Sequence, residues 1–126
     1  MILVDTSVWV DFLNSVRGPG GDELERLIRA RAPLVLTGLV VAEVLQGLRR
    51  DVEPVTALLI RWPLIEPDGF GTYVAAARIF REARQRGLTL STVDALLAAL
   101  ALEFDAALFT LDQDFRRLAF TGLRLH

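Results

Sequence analysis

Four acidic residues lie in or beside apolar segments of the chain, and they are its main candidates for chemistry: Asp5, Glu43, Asp94 and Asp112. The sequence contains no cysteine and no lysine, and its one histidine is His126. Thiolate and Schiff-base chemistry are therefore excluded, and acid–base catalysis by histidine is disfavoured. Carboxylates within a few ångströms of each other raise each other's pKa unless a metal ion keeps them ionised. If the fold gathers these four, they indicate chemistry based on a cation.

Each acid also has a purely structural explanation. Asp5 and Asp112 could cap the helices that follow them. Asp94 completes a capping-box pattern that begins at Ser91. Glu43 could face solvent on an amphipathic helix, although its apolar neighbours make an unpaired carboxylate costly and favour a metal or arginine partner. Jointly, in a chain without other reactive groups, the four favour a site.

Short apolar runs that alternate with helical patterns would position these acids. We predict strands over 2–5, 34–37 and 106–110, with weaker ones at 64–65 and 123–125. The segment Gly18-Pro19-Gly20-Gly21 should end the first helix, which is predicted over 7–13. A second helix should run from a cap at Asp22 to before Pro33, and the others are predicted over 39–48, 52–61, 69–86, 91–104 and 112–119. This alternation predicts a three-layer α/β domain with a mainly parallel sheet.

Such a sheet binds ligands at the carboxyl ends of its strands. Asp5 and Asp112 each follow a strand, so both should lie at that edge. Glu43 should lie near it, about one turn into the helix after the second strand. The pattern alone does not place Asp94.

The length of 126 residues fits a single domain over residues 1–126. The start of the chain has no basic region and is interrupted by Asp5, so it is typical of a strand rather than of a signal peptide. The longest uncharged run, 32–42, is far below the roughly 20 residues of a membrane span. The lack of cysteine suits a reducing compartment, and we expect a cytoplasmic protein.

Composition gives two indications about partners. Hydrophobic residues make up 52% of the chain and the mean hydropathy is +0.40, which suggests that a partner covers some apolar surface. The net charge of −2 argues against a passive nucleic-acid binder. Without the four acids, however, the rest of the chain is slightly positive, and a metal ion could join it to a polyanion.

Possible nucleic-acid contacts are less specific. Arginines at 49, 50, 78, 81, 84, 116 and 117 could bind phosphates, although a solvated helix face explains each of them more simply. Trp62, Phe70 and Tyr73 could stack on bases, but their spacing predicts core packing.

Four segments carry a resemblance to a known family: 2–9 (Ile-Leu-Val-Asp-Thr-Ser-Val-Trp), the helix of Glu43, 91–99 (Ser-Thr-Val-Asp-Ala-Leu-Leu-Ala-Ala) and 110–115 (Thr-Leu-Asp-Gln-Asp-Phe). Together they resemble the PIN-domain ribonucleases, and among these the VapC-type toxins of toxin–antitoxin pairs. The resemblance covers the whole chain and rests on the order and spacing of the segments rather than on one motif.

The resemblance implies an endoribonuclease that uses Mg²⁺ or Mn²⁺. Asp5, Asp94 and Asp112 would hold the metal, and Glu43 would complete the site through the metal or its water. Of the remaining implied residues, Ser7 would support Asp5, and Asp114 would be an additional ligand or support one. The implied partners are an RNA substrate, a cognate antitoxin protein and a second copy of the chain.

Three alternatives remain at this point. A phosphoacceptor receiver domain has this length and architecture, but it is expected to carry paired acids after the first strand and a late lysine, whereas Asp5 is followed by Thr6 and Ser7. A haloacid-dehalogenase-like phosphatase would need an Asp-x-Asp start, which is also absent. A non-catalytic binding module could keep the fold without the reaction.

Overall fold

A three-stranded parallel sheet with β1 at its centre organises the chain. The computed structural model describes residues 1–126. The sheet has the order β2-β1-β3, with strands β1 (Ile2–Val4), β2 (Leu34–Val35) and β3 (Ala107–Phe109). Ile2 lies opposite Leu34 on one side and opposite Ala107 on the other. Because the neighbours of β1 lie on opposite sides, the crevice beyond its carboxyl end is the expected ligand position.

Seven helices surround this sheet: α1 (Thr6–Leu13), α2 (Pro19–Arg29), α3 (Gly38–Gln46), α4 (Val52–Leu59), α5 (Phe70–Gln85), α6 (Thr92–Glu103) and a final 3-10 helix (Gln113–Thr121). The predicted α/β architecture with a parallel sheet is confirmed. Helix α1 packs on α2 and α3, whereas α5 packs mainly on α6. No helix combines the length and the apolar character that crossing a membrane requires.

The weak strands were predicted too long. Leu64 forms a single parallel bridge with Leu36, and Leu125 forms one with Leu108. Pro63 directly precedes the first of these bridges. Since proline has no N–H to donate to a ladder, pairing there stops after one residue.

The predicted start of α2 was wrong. The helix begins at Pro19 rather than after a cap at Asp22. The carboxylate of Asp11, on α1, accepts hydrogen bonds from the backbone N–H groups of Gly18 (2.9 Å) and Gly21 (2.6 Å). A side chain of another helix therefore satisfies the first turn, and proline fits the first helical position because its missing N–H would have no partner there.

Helices α5 and α6 run antiparallel. The buried hydroxyl of Thr72, at the start of α5, donates to the carboxylate of Glu103, at the end of α6 (3.0 Å to each oxygen). Gly87, with φ +81°, turns the chain after α5. The end of α5 and the start of α6 consequently lie together, at the end of the pair opposite to the bond between Thr72 and Glu103.

The aromatic residues divide between core and surface. Trp62 packs against the fully buried Trp9, with ring centroids 5.2 Å apart, as core packing requires. The prediction was wrong for Phe70 and Tyr73, whose exposed fractions are 86% and 54%. Phe70 is the first residue of α5, and Tyr73 lies at a groove between α5 and α6, whereas the buried side of α5 is formed by Ala76, Ile79 and other small or branched side chains.

Candidate active site

Asp5 is the first polar residue after β1, and three donors hold its carboxylate. Oδ1 accepts from the backbone N–H of Thr6 (2.7 Å), while Oδ2 accepts from the hydroxyls of Ser7 (3.0 Å) and Thr110 (2.7 Å). Asp5 is therefore the N-cap of α1, as the structural explanation predicts. The cap uses only Oδ1, so it does not explain the two hydroxyl donors to Oδ2. The side chain of Asp5 is only 7% exposed, and the donors fix its orientation.

The same two hydroxyls position the turn after β3. The hydroxyl of Ser7 accepts from the backbone N–H of Leu111, and that of Thr110 accepts from the backbone N–H of Asp112, both at 3.0 Å. The bond predicted from Ser7 to Asp5 is present. Sequence reasoning missed the role of Thr110, although a hydroxyl residue at a strand end directly before Leu111-Asp112 was a usable signal.

Glu43 reaches Asp5 through a single residue. The hydroxyl of Thr6 donates to Oε1 of Glu43 at 2.9 Å. The sequence favoured a metal or an arginine as partner, and the structure supplies this hydroxyl and no ion pair with an arginine. Thr6 thus joins the side chain of Glu43 on α3 to the N-cap of α1.

Asp94 lies in the first turn of α6. Its backbone N–H donates to the hydroxyl of Ser91 at 3.0 Å, so Ser91 is the N-cap. The capping box remains incomplete, because the backbone N–H of Ser91 makes no bond to the carboxylate of Asp94. The capping role therefore accounts for the backbone of Asp94 and does not require its carboxylate.

The pKa of Asp94 responds to the charges of the other three acids. Burial raises the pKa of the Asp94 carboxyl above its ordinary value, and a hydrogen bond from Ser91 opposes that shift. The negative charges of Asp112, Asp5 and Glu43 raise this pKa further. Three segments distant in sequence therefore place their charges close enough to Asp94 to disfavour its ionisation.

Asp112 and Asp114 differ in their electrostatic effect on Asp94. Oδ1 of Asp112 caps the 3-10 helix by accepting from the backbone N–H of Asp114 at 2.9 Å. The charge of Asp112 acts on Asp94, and that of Asp114 does not contribute. The roles of both residues at a metal stay predictions.

The donor chemistry of this edge fits a hard divalent ion. The four acids offer only carboxylate oxygens, which Mg²⁺ and Mn²⁺ prefer. No three acidic side chains converge closely enough to hold one ion as they stand. Mg²⁺ keeps several of its waters and uses one or two carboxylates directly, so it does not require such a cage. Burial is the main cause of the raised pKa of Asp94, the charges of the other three acids add to it, and a bound divalent ion would offset those charges.

Comparison with known proteins agrees with the geometry. The model of the PIN domain family matches residues 2–121. The chain belongs to the PIN domain family. The resemblance seen in the sequence is confirmed, and the receiver and phosphatase alternatives are set aside.

This PIN domain is similar to curated ribonucleases over most of its length. It is 32% identical over 123 residues to VapC ribonuclease Mb1587 of Mycobacterium bovis, with 94% of this chain and 92% of the relative covered. Ribonuclease VapC11 of Mycobacterium tuberculosis matches with the same identity and coverage.

Solved structures share the fold. VapBC2 from Rickettsia felis, bound to a DNA fragment from its promoter, has a TM-score of 0.79 at 24% identity, covering 100% of this chain and 98% of that chain. FitAcB from Neisseria gonorrhoeae has a TM-score of 0.72 at 21% identity, covering 99% and 96%. At these identities the likeness shows the PIN fold alone.

Proposed function

We propose that this PIN domain is a metal-dependent endoribonuclease and the toxin of a toxin–antitoxin pair. The similarity to VapC ribonucleases along nearly the whole chain supports the activity. The observation that carries the proposal is the hydrogen-bonded arrangement at the carboxyl edge of the sheet, where Thr6 links Asp5 to Glu43 and Thr110 links Asp5 to the backbone of Asp112. The charges of these three acids also contribute to the raised pKa of Asp94. We expect such a protein to act in the cytoplasm, where it meets its RNA substrate.

In this proposal, Asp5, Asp94 and Asp112 hold Mg²⁺ or Mn²⁺, and Glu43 binds the metal or a water on it. A bound ion would supply an activated water and would neutralise charge that develops on the phosphodiester. The chain's own groups orient these ligands: Ser7 and Thr110 aim the carboxylate of Asp5. Thr6 does the same for Glu43. Preset carboxylates need little rearrangement when the reaction begins.

Metal removal tests the reaction. Purified chain, free of any antitoxin, should cleave single-stranded or loop RNA in Mg²⁺ or Mn²⁺, lose cleavage to background in EDTA, and regain it when metal is restored, because carboxylates alone cannot neutralise the transition state. Gel analysis of labelled RNA gives the rate, and an Asp5→Asn protein purified in parallel controls for contaminating ribonuclease.

Two results would contradict this proposal. Undiminished cleavage in EDTA would remove the metal from the mechanism. If neither Mg²⁺ nor Mn²⁺ supports cleavage, the chain is better described as a non-catalytic binding module.

Two exposed apolar surfaces suit the protein partners. The first covers α5 and α6, where exposed Phe70 and Tyr73 adjoin a groove of about 350 Å³ lined by Ala76, Phe80 and Leu96 among others. The second is a smaller groove lined by α3, α4 and the segment after α4, beside Ile60, which is 80% exposed. We assign the first, richer in aromatic residues, to a homodimer, and the second to the antitoxin.

Substitution of Tyr73 tests the homodimer. A buried charge at an apolar interface is costly, so Tyr73→Glu should convert a dimer into a monomer. Light scattering after size-exclusion chromatography measures the mass. Ile60→Glu is the matched control, since it places the same charge on the other apolar surface and should leave the dimer intact. A parent that is monomeric, or a dimer that only Ile60→Glu disrupts, would contradict the assignment.

A further inference from the structure

At the end of α5, the side chain of Arg117 contacts the backbone of Arg86, and neither arginine has an acidic partner. Nη2 of Arg117 donates to the backbone carbonyl of Arg86 at 3.1 Å. The guanidinium of Arg86 lies 3.9 Å from the centroid of the Phe120 ring. Both arginines are exposed, and neither forms an ion pair, whereas several other arginines of the chain do. We refer to Arg86 and Arg117 as the arginine pair.

Local structure explains only part of this arrangement. The last carbonyls of a helix have no partner within it, and Gly87 turns the chain away after α5. Arg117 satisfies the carbonyl of Arg86, and positive charge at a helix C-terminus is favourable. A guanidinium has five N–H donors, however. Arg117 uses one of them, and the side chain of Arg86 donates no hydrogen bond within the protein.

Nearby acids do not balance the two charges. Glu82 precedes Arg86 by one turn of α5, and Asp114 precedes Arg117 by one turn of the 3-10 helix. Neither acid forms an ion pair with these arginines. Two neighbouring cations with unused donors fit a ligand that carries several negative charges.

The arginine pair lies at the same end of the molecule as the acids. Helices α5 and α6 are antiparallel, so Arg86 at the end of α5 lies near the start of α6, which carries Asp94. Arg117 lies less than two turns along the 3-10 helix that Asp112 caps, or about 10 Å from it at a rise of about 2 Å per residue. A polyanion that crosses the acidic site can therefore extend to this pair.

Resting on the proposed ribonuclease activity, we propose that the arginine pair binds phosphates of the RNA strand beside the scissile bond. The planar guanidinium matches a phosphate with two parallel hydrogen bonds. Such contacts hold the strand in register without reading its sequence. The guanidinium of Arg86 already lies over the Phe120 ring, and a side chain placed by such a contact loses less entropy on binding.

The salt dependence of RNA binding tests this role. We would titrate a short fluorescent single-stranded RNA with full-length Asp5→Asn protein in EDTA, which prevents cleavage, and measure anisotropy at several NaCl concentrations. Each phosphate contact on a single strand contributes about 0.7 to the slope of log affinity against log salt. Arg86→Gln should lower the magnitude of the slope by about 0.7, the double variant with Arg117→Gln by about 1.4, and both should bind several-fold more weakly at low salt.

Two further variants separate charge from structure. Arg86→Lys should keep the slope, because it retains the charge while losing the planar group over Phe120. Arg31 is an exposed arginine without an ion pair, and it lies just before β2 at the opposite edge of the sheet. Arg31→Gln should therefore change neither the salt slope nor the affinity for RNA. Circular dichroism and melting temperature verify that each variant is folded. If the double variant unfolds because it lacks the hydrogen bond from Arg117, the single Arg86→Gln variant is sufficient for the test.

The outcomes separate this inference from the proposed function. If Arg86→Gln has the same salt slope as the Asp5→Asn protein without it, the arginine pair is not a phosphate site. The ribonuclease proposal is unaffected by that result as long as the parent cleaves RNA. A parent that neither binds nor cleaves RNA overturns both. Polyglutamate at the same concentration of negative charge as the RNA serves as a competitor. If it displaces the RNA and Arg86→Gln weakens only the binding of polyglutamate, the arginine pair fits an acidic protein, and the inference is wrong.

Discussion

Replacement of Asp5 by Asn should abolish RNA cleavage while the protein stays folded. A metal-holding carboxylate contributes several kcal/mol to the transition state, and about 1.4 kcal/mol corresponds to a factor of ten in rate, so we expect a loss of roughly a thousandfold or more. Single-turnover cleavage of labelled RNA in Mg²⁺ measures this loss, and thermal melting measures the fold.

The contacts of Asp5 explain why the fold should survive. The amide oxygen of Asn can still accept from the backbone N–H of Thr6, which preserves the N-cap of α1. The amide nitrogen would face the hydroxyls of Ser7 and Thr110, which can rotate to accept a hydrogen bond. Neutralising one of several clustered acids also relieves repulsion in the metal-free protein.

Ser7→Ala is the matched control for Asp5. It removes one donor to the carboxylate and the acceptor for the N–H of Leu111, yet it keeps the charge. We expect it to slow cleavage far less than Asp5→Asn does. Substantial activity in Asp5→Asn would exclude Asp5 as a metal ligand, and an unfolded Asp5→Asn protein would make its structural role the dominant one.

Asp94→Asn should bind Mn²⁺ weakly and cleave almost no RNA, with a melting temperature at or above that of the parent. Ser91 accepts from the backbone N–H of residue 94, so the cap does not depend on the side chain there. Removal of the carboxylate should therefore spare the helix and damage only the site. Calorimetry with Mn²⁺ measures the affinity, and gel analysis measures cleavage.

The effect of Asp94 on stability should depend on pH. Because its pKa is raised above the ordinary value of 3.8, the folded metal-free protein binds a proton there more readily than the unfolded chain does. Ionised Asp94 thus destabilises the fold above the raised pKa, and the penalty disappears as the pH falls through that pKa. The melting advantage of Asp94→Asn should be largest at neutral pH and vanish on acidification.

Ser91→Ala provides the opposite pattern to Asp94→Asn. It removes the cap and should cost about 1 kcal/mol of stability, but it keeps the carboxylate of Asp94, so Mn²⁺ affinity and cleavage should fall far less than in Asp94→Asn. Normal metal affinity and cleavage in Asp94→Asn would reduce Asp94 to a residue of the first helical turn and leave the proposed site one carboxylate short.

Sequence pattern determined the sheet and the edge at which chemistry should occur. Apolar runs that end in a polar residue define β1 and β3. Because the carboxyl ends of parallel strands share one edge, the pattern alone was enough to assign Asp5 and Asp112 to that edge. Glu43 followed because its helix leaves β2 directly. These assignments depend on local periodicity and on a general property of parallel sheets.

Only the tertiary structure could decide features that depend on partners distant in sequence. Asp94 joins the acids because α5 and α6 form an antiparallel pair that returns the chain to the carboxyl edge, and no periodicity encodes that return. The start of α2 depends on Asp11 in another helix. Phe70 was misplaced because helical spacing shows which residues share a face, and only packing against other elements decides which face is buried.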